Sequence, residues 1–183
     1  MFESFKTRAE AVSAEVHRFP TKAGALEFIM NFLQKEGVAD KPDAYALWAD
    51  MPFLKGIDTA ALASQVPGLK FKVTRQLAKE ARVAITQMEW GIANTGTLAG
   101  DQTAVEERLA SSLSWINVVI LPTANIIADL PSLMTRMHPN QIGYMALITG
   151  PSRTADIERV LTIGVHGPER LIIVCVDELG GTN

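Results

Sequence analysis

The chain has 183 residues, 48% hydrophobic and 20% charged, a length and balance suited to one globular unit with a sizeable core. A net charge of −3 without a basic stripe argues against a nucleic-acid partner, and no apolar run approaches the length of a membrane span. One cysteine, Cys175, excludes an internal disulfide, and the lack of a Cys/His cluster excludes a structural zinc or an iron–sulfur cluster held by this chain alone.

Charges are spaced through Met1 to Arg8 where a signal peptide would need an apolar core, so the expected compartment is the cytoplasm. Phe2, Phe5, Ala9, Val12 and Val16 recur at helical spacing and predict an amphipathic helix over 2–16. Pro20 and Thr21 open a second helix, with Leu26, Ile29, Met30 and Leu33 on one face and Gly37 as its stop. Tyr45 to Trp48 reads as the first strand, and Asp58-Thr59 starts a short helix ending near Pro67-Gly68. Leu69 to Val73 alternates apolar and polar residues, the period of a half-exposed strand at a sheet edge. Gln76 to Arg82 reads as helical. Gly91, Gly96 and Gly100 then fall within ten residues and imply a bend or a close backbone approach.

Ile116 to Leu121 is a buried strand ended by Pro122, Ile126 to Met137 a helix, and Tyr144 to Ile148 and Leu171 to Val176 two further buried strands. Apolar strands alternating with helices predict a mainly parallel sheet covered on both faces, the helices of 2–37 packed on or beside it. Such sheets bind ligands beyond the carboxyl ends of their strands, where the segment after Ile148 is expected.

That segment turns at Gly150-Pro151 and places Ser152 or Thr154 to cap a helix running through Glu158. The amides of 152–155, with the Arg153 guanidinium, would then form a pocket for carboxylate or phosphate. Alternatively the hydroxyls only cap and Arg153 pairs with Asp156 or Glu158. His166, between Gly164 and Gly167-Pro168, is the candidate catalytic residue because its ring titrates near neutrality, although a lone histidine also serves structure. His17 and His138 read as surface residues, and Cys175 as a buried, inert thiol. Asn94-Thr95-Gly96-Thr97 offers hydroxyl and amide groups on a turn. Glu89 and Trp90 before it are either an acid and an aromatic wall or a surface charge and core filling. Asp101, Glu106, Glu107 and Arg108 read as a solvated face.

Taken together, in order and spacing, Gly91 to Thr97, Gly150 to Glu158 and Gly164 to Pro168 resemble the lactate-utilization protein C family, also called the LUD domain; with the strands between them they cover residues 83 to 177. The resemblance implies a three-layer α/β/α sandwich with a mainly parallel sheet, CoA-transferase-like, as in the glucosamine-phosphate deaminase and ribose-phosphate isomerase superfamily. It also implies a non-redox subunit of bacterial L-lactate oxidation to pyruvate, working beside iron–sulfur partner proteins and binding no cofactor or metal itself. The expected ligand positions are Asn94, Thr95, Gly96, Thr97, Gly150, Pro151, Ser152, Arg153, Thr154, Asp156, His166 and Gly167, around a small carboxylate or phosphate. The family turn usually carries glutamate before Thr-Gly-Thr. Here Asn94 stands there, and an amide cannot exchange a proton as a carboxyl does, so binding is expected rather than catalysis. The alternative is a stand-alone enzyme or binding protein for a phosphorylated or CoA-linked metabolite. A third reading is a regulatory or assembly module with an empty apolar crevice beside Gly150.

Overall fold

The structure is a computed structural model that describes residues 1–138, 140–155, 161–163 and 167–180. Its first helix, α1 (Phe2–Ala11), buries Phe5 and Ala9 and stops short of Ser13, whose φ of 72° leaves the helical path. A strand follows, β1 (Ala14–Phe19), where more helix was expected. Val12 and Val16 satisfy a helical period, but buried Ala14 and Val16 also alternate with exposed Glu15, and strand pairing decides between the two.

α2 (Lys22–Lys35) begins where the Thr21 hydroxyl accepts from the Gly24 amide at 3.1 Å, and buries Ile29, Met30 and Leu33 as expected. β2 (Tyr45–Trp48) matches its predicted bounds, as the second strand rather than the first. α3 (Thr59–Gln65) is capped by Asp58, which accepts from the Ala60 and Ala61 amides. β3 (Leu69–Lys70) is shorter than the alternation suggested. α4 (Arg75–Lys79) gives way at Ala81 to β4 (Ala81–Gln87), a strand that a helical reading of 76–82 passes over.

β5 (Trp90–Ile92) and β6 (Thr97–Asp101) pair antiparallel, and α5 (Val105–Leu113) leads to the fully buried β7 (Ile116–Pro122). The helix expected from Ile126 starts only later. Ile126 and Ile127 form β8 (Ile126–Ile127) beside β5, and Asp129 caps α6 (Leu130–Met134) by accepting from the Ser132 amide. β9 (Met145–Ile148) follows. Where a helix was expected behind Ser152, the chain instead makes an antiparallel pair, β10 (Arg153–Ala155) with β11 (Leu161–Ile163). β12 (Arg170–Val176) is the last strand, as predicted.

Among the described residues, six strands form an all-parallel sheet in the order β1-β12-β7-β4-β2-β3, with β3 at the predicted edge. α2 and α3 pack on one face through Ile29, Leu33 and Leu62 against Trp48, Ile85, Val118 and Val174. The other face carries α1 and a second, four-stranded sheet in the order β8-β5-β6-β9, meeting Val119, Leu121, Ile173 and Cys175. The α/β sandwich is therefore as expected, with one outer layer part helix and part sheet. β9, predicted as a buried strand of the parallel sheet, is instead an edge strand of the second sheet, antiparallel to β6, with Leu147 48% exposed. No helix among the described residues is long and apolar enough to cross a membrane.

Two glycine turns fix the second sheet against α1. Gly96 and Gly150 adopt positive φ of 70° and 68°. A Cβ at Gly96 would lie 2.3 Å from the Ala9 nitrogen, and one at Gly150 2.4 Å from the Val12 carbonyl oxygen, so the backbone of α1 and of its C-cap fills the space a side chain needs. The turns are linked by hydroxyls, Thr95 to Thr97 at 2.7 Å and Thr97 to Thr149 at 2.8 Å. Gly96→Ala is expected to cost about 3 kcal/mol or more, lowering the thermal midpoint by roughly 6–12 °C. Gly37→Ala, at a φ of 73° but with nothing within 4 Å of the added carbon, is expected to cost only about 1 kcal/mol. Thermal unfolding of the two variants checks the difference.

Candidate functional site

Between α5, β9 and the turns at Thr149–Ser152 and Gly167–Pro168 lies a cleft of about 550 Å³. It overlies the amino-terminal halves of β7 and β12, marked by Asn117 and Leu171, and not the carboxyl ends where the segment after Ile148 was expected. The reason is topological: β9 belongs to the second sheet and not the parallel one, and the turn goes with it.

The floor is polar. Asn117, 1% exposed, interrupts the apolar run of β7; its Oδ1 accepts from the Thr86 hydroxyl at 3.1 Å, and its amide nitrogen has no partner among the described residues. Gln102, 3% exposed, accepts from Ser111 Oγ at 3.2 Å. α5 presents Arg108, Ser111 and Ser112 at helical spacing on the cleft side. Arg108 Nη1 donates to the carbonyls of Gln102 and Thr103, and the guanidinium carbon stacks 4.7 Å from the centre of the Tyr144 ring. Among the described residues it forms no ion pair and is the only charged side chain lining the cleft.

Of the positions the sequence singles out, Gly150, Pro151, Ser152 and Gly167 line this cleft. Gly167 closes one end of it, since a Cβ there would lie 3.1 Å from the Ser152 Cβ, and the Ser152 amide donates to the Pro168 carbonyl at 2.8 Å. Thr95, Gly96 and Thr97 do not line it; their turn lies against α1, and Thr97 connects to the cleft through Thr149. Asn94 is exposed, and its backbone N–H donates to the Ala128 carbonyl at 3.1 Å. Arg153 points away from the lining and donates to Ser13 Oγ at 2.9 Å. The helix-start pocket expected around it does not form, because Arg153 and Thr154 are in β10. Asp156 and His166 lie outside the described residues.

Two residues expected on a solvated face depart from that reading. Arg108 belongs to the cleft, and Glu107 is half-buried, its carboxyl raised above its ordinary range first by burial and then by Asp101 and Asp50. The signals that mark this site in the sequence are Asn117 inside an otherwise apolar strand and the Arg108, Ser111, Ser112 spacing. His17 also departs from a surface reading: its ring centre packs 4.6 Å from that of Phe28, and burial lowers its titration point. His138 is exposed as expected. Cys175 is fully buried, and burial pushes its thiol up to about 12.

Trp90 fills a core with Ile92 and Leu133. Glu89 is neither surface charge nor cleft wall. Its carboxyl sits over Gly100, where a Cβ would come 2.3 Å from Oε2, and accepts from the Asp101 amide at 3.0 Å. Burial raises it to about 7 against an ordinary 4.5. The folded state therefore holds a proton that the unfolded chain releases. The associated stability is full below about pH 4.5 and is lost as pH rises through about 7. Glu89→Gln keeps an acceptor for Asp101 without the charge, so its thermal midpoint should exceed that of the parent by several degrees at about pH 8 and converge with it near pH 4.5. Melting curves across that range check this.

A second hollow, of about 530 Å³, opens beyond the carboxyl ends of β2 and β3, lined by Asp50, Met51, Leu54, Lys55, Thr59 and Phe71. Connections leave β2 toward β3 and β4 toward β7, so it adjoins the point where the strand order reverses. Among the described residues no group of three or more His, Cys, Asp or Glu side chains is placed to hold a metal ion.

Comparison with known proteins assigns this architecture. The family described as LUD domain matches residues 2–176. Lactate utilization protein C of Macrococcus caseolyticus is 33% identical over 109 residues, covering 56% of this chain and 47% of the relative. Lactate utilization protein C 1 of Bacillus mycoides is 30% identical over a stretch of the same shares. The chain thus spans about half the length of the curated relatives it matches. A crystal structure of a DUF162 family protein from Deinococcus radiodurans shares the fold, with a TM-score of 0.64 at 14% identity over 96% of this chain and 95% of that one.

Proposed function

The chain belongs to the LUD domain family, and from that premise we propose that it works in lactate utilization, as a non-redox subunit beside iron–sulfur proteins that carry out the oxidation of L-lactate to pyruvate. The observation that carries this reading is the family match over residues 2–176, joined by relatives named lactate utilization protein C. The chemistry of the chain is compatible with it. Cys175 is the only cysteine and is buried, so electrons from a hydroxy acid would have to pass to clusters on other chains. Among the described residues the cleft beside α5 offers one cation and several neutral donors, a set suited to holding a small acid. A cytoplasmic location fits a subunit that meets soluble lactate and redox partners.

A second reading, a stand-alone enzyme or binding protein for a phosphorylated or CoA-linked metabolite, is favoured by the hollow at the strand-order reversal, where Lys55 and Thr59 supply a cation and a hydroxyl. A thermal-shift panel separates the two: stabilisation by sugar phosphates or CoA esters, lost in Lys55→Ala, supports the second reading.

Deleting the gene is expected to abolish growth on L-lactate and lactate-dependent electron transfer, and the tagged native protein is expected to co-purify with iron–sulfur proteins. Unchanged growth and unchanged electron transfer in the deletion strain would contradict the subunit role.

A further inference from the structure

We propose that the cleft between α5 and β9 binds a small monocarboxylate bearing an oxygen on its α-carbon, a 2-hydroxy or 2-oxo acid, with Arg108 taking the carboxylate and the Asn117 amide the α-oxygen. The choice of acid rests on the lactate-utilization reading; the binding chemistry rests on the side chains.

Arg108 is oriented but unclaimed. Its Nη1 is held by two backbone carbonyls and its face is stacked on Tyr144, while Nε and Nη2 have no partner among the described residues. Those two nitrogens form the fork edge of the guanidinium that grips a carboxylate with two parallel hydrogen bonds. Fixing the rest of the group beforehand lowers the ordering cost of that grip.

Asn117 supplies the second point. Its carbonyl end is committed to Thr86, and its amide nitrogen lines the floor of the cleft in a residue 1% exposed. With the carbonyl end taken by Thr86, the amide is left as a donor open to the cleft, and a hydroxyl or keto oxygen on the ligand would accept from it. Ser111 and Ser112 flank the same wall from α5.

The charge balance sets the class. With Arg108 as the only ionised side chain lining the cleft among the described residues, one negative charge is matched and a phosphate dianion is left half-neutralised. The volume of about 550 Å³ exceeds what a three-carbon acid fills, and Ile148 and Leu171 make part of the wall apolar. Acids with longer apolar chains therefore fit the same two anchors.

Calorimetric titration of the full chain with L-lactate, pyruvate, 2-hydroxyhexanoate, propionate and inorganic phosphate tests this. The first three should bind, and propionate, which lacks the α-oxygen, should bind about tenfold more weakly than L-lactate. Arg108→Gln should weaken the acids about tenfold or more while its circular dichroism and thermal midpoint stay near those of the parent. Phosphate binding as tightly as L-lactate, propionate equalling L-lactate, or unchanged affinity in folded Arg108→Gln would overturn the proposal. If none of the acids binds yet deletion still abolishes growth on lactate, the ligand site falls and the subunit role stands. If the acids bind and deletion leaves growth unaffected, the ligand site stands and the subunit role falls.

Discussion

Close contact between two glycine turns and the backbone of α1 governs how the two sheets of this protein are assembled. Gly96 and Gly150 come so near Ala9 and the C-cap Val12 that even a methyl group would overlap backbone there. Because β6 and β9 pair with Leu98 opposite Ile148, both turns emerge side by side and are seated together on the end of the helix. α1 is in turn anchored by Phe5 and Ala9, both fully buried among residues of β7 and β12. Burying a phenylalanine contributes on the order of 2–3 kcal/mol, so the helix is a firm platform for the turns. The hydroxyl chain through Thr95, Thr97 and Thr149 holds the turns in register with one another.

Seating β9 this way creates the cleft. The strand becomes an outer wall, α5 the opposite wall, and the start of β7 the floor, so a polar residue in β7 faces a cavity instead of a packed layer. An asparagine in a strand buried along its whole length is expensive unless its donors and acceptors are met. Thr86 meets only one end of Asn117. Arg108 reaches the same cavity with its stacking and carbonyl contacts complete and its charge unpaired among the described residues. Two incompletely satisfied groups of this kind around one cleft are a stronger mark of a ligand site than either alone.

Much of this architecture is legible in the sequence, and the misread elements share a cause. α2, β2, α3, β7 and β12 stand out because caps, length and continuous apolar runs all agree. β1 and β8 do not, since Val12 to Val16 and Ile126 to Ile127 fit a helical period as well as a strand, and only long-range partners, β12 and β5, decide. The run Ser152-Arg153-Thr154 carries capping residues, yet Ser152 donates to Pro168 and Arg153 pairs across to Ile163, so tertiary pairing overrides the local signal. The glycines do mark places of close approach, as their spacing implies, but at Gly96 and Gly150 the approaching partner is α1. Arg108 shares a helix face with Ser111 and Ser112, but that spacing alone does not separate a site from a solvated face until the Tyr144 ring beneath the guanidinium is known.

On the proposed account labour is divided: the Thr95–Thr97 turn seats the second sheet on α1, and the cleft between α5 and β9 is the place for the ligand. Amide-resolved chemical-shift mapping during titration with a 2-hydroxy acid separates the two roles within a single experiment. Shifts are expected to concentrate at Arg108 to Ser112, Asn117, Tyr144 to Ser152 and Gly167, with Thr95 and Gly96 unmoved. Shifts centred on Asn94 to Thr97, with Arg108 and Asn117 silent, would contradict this division.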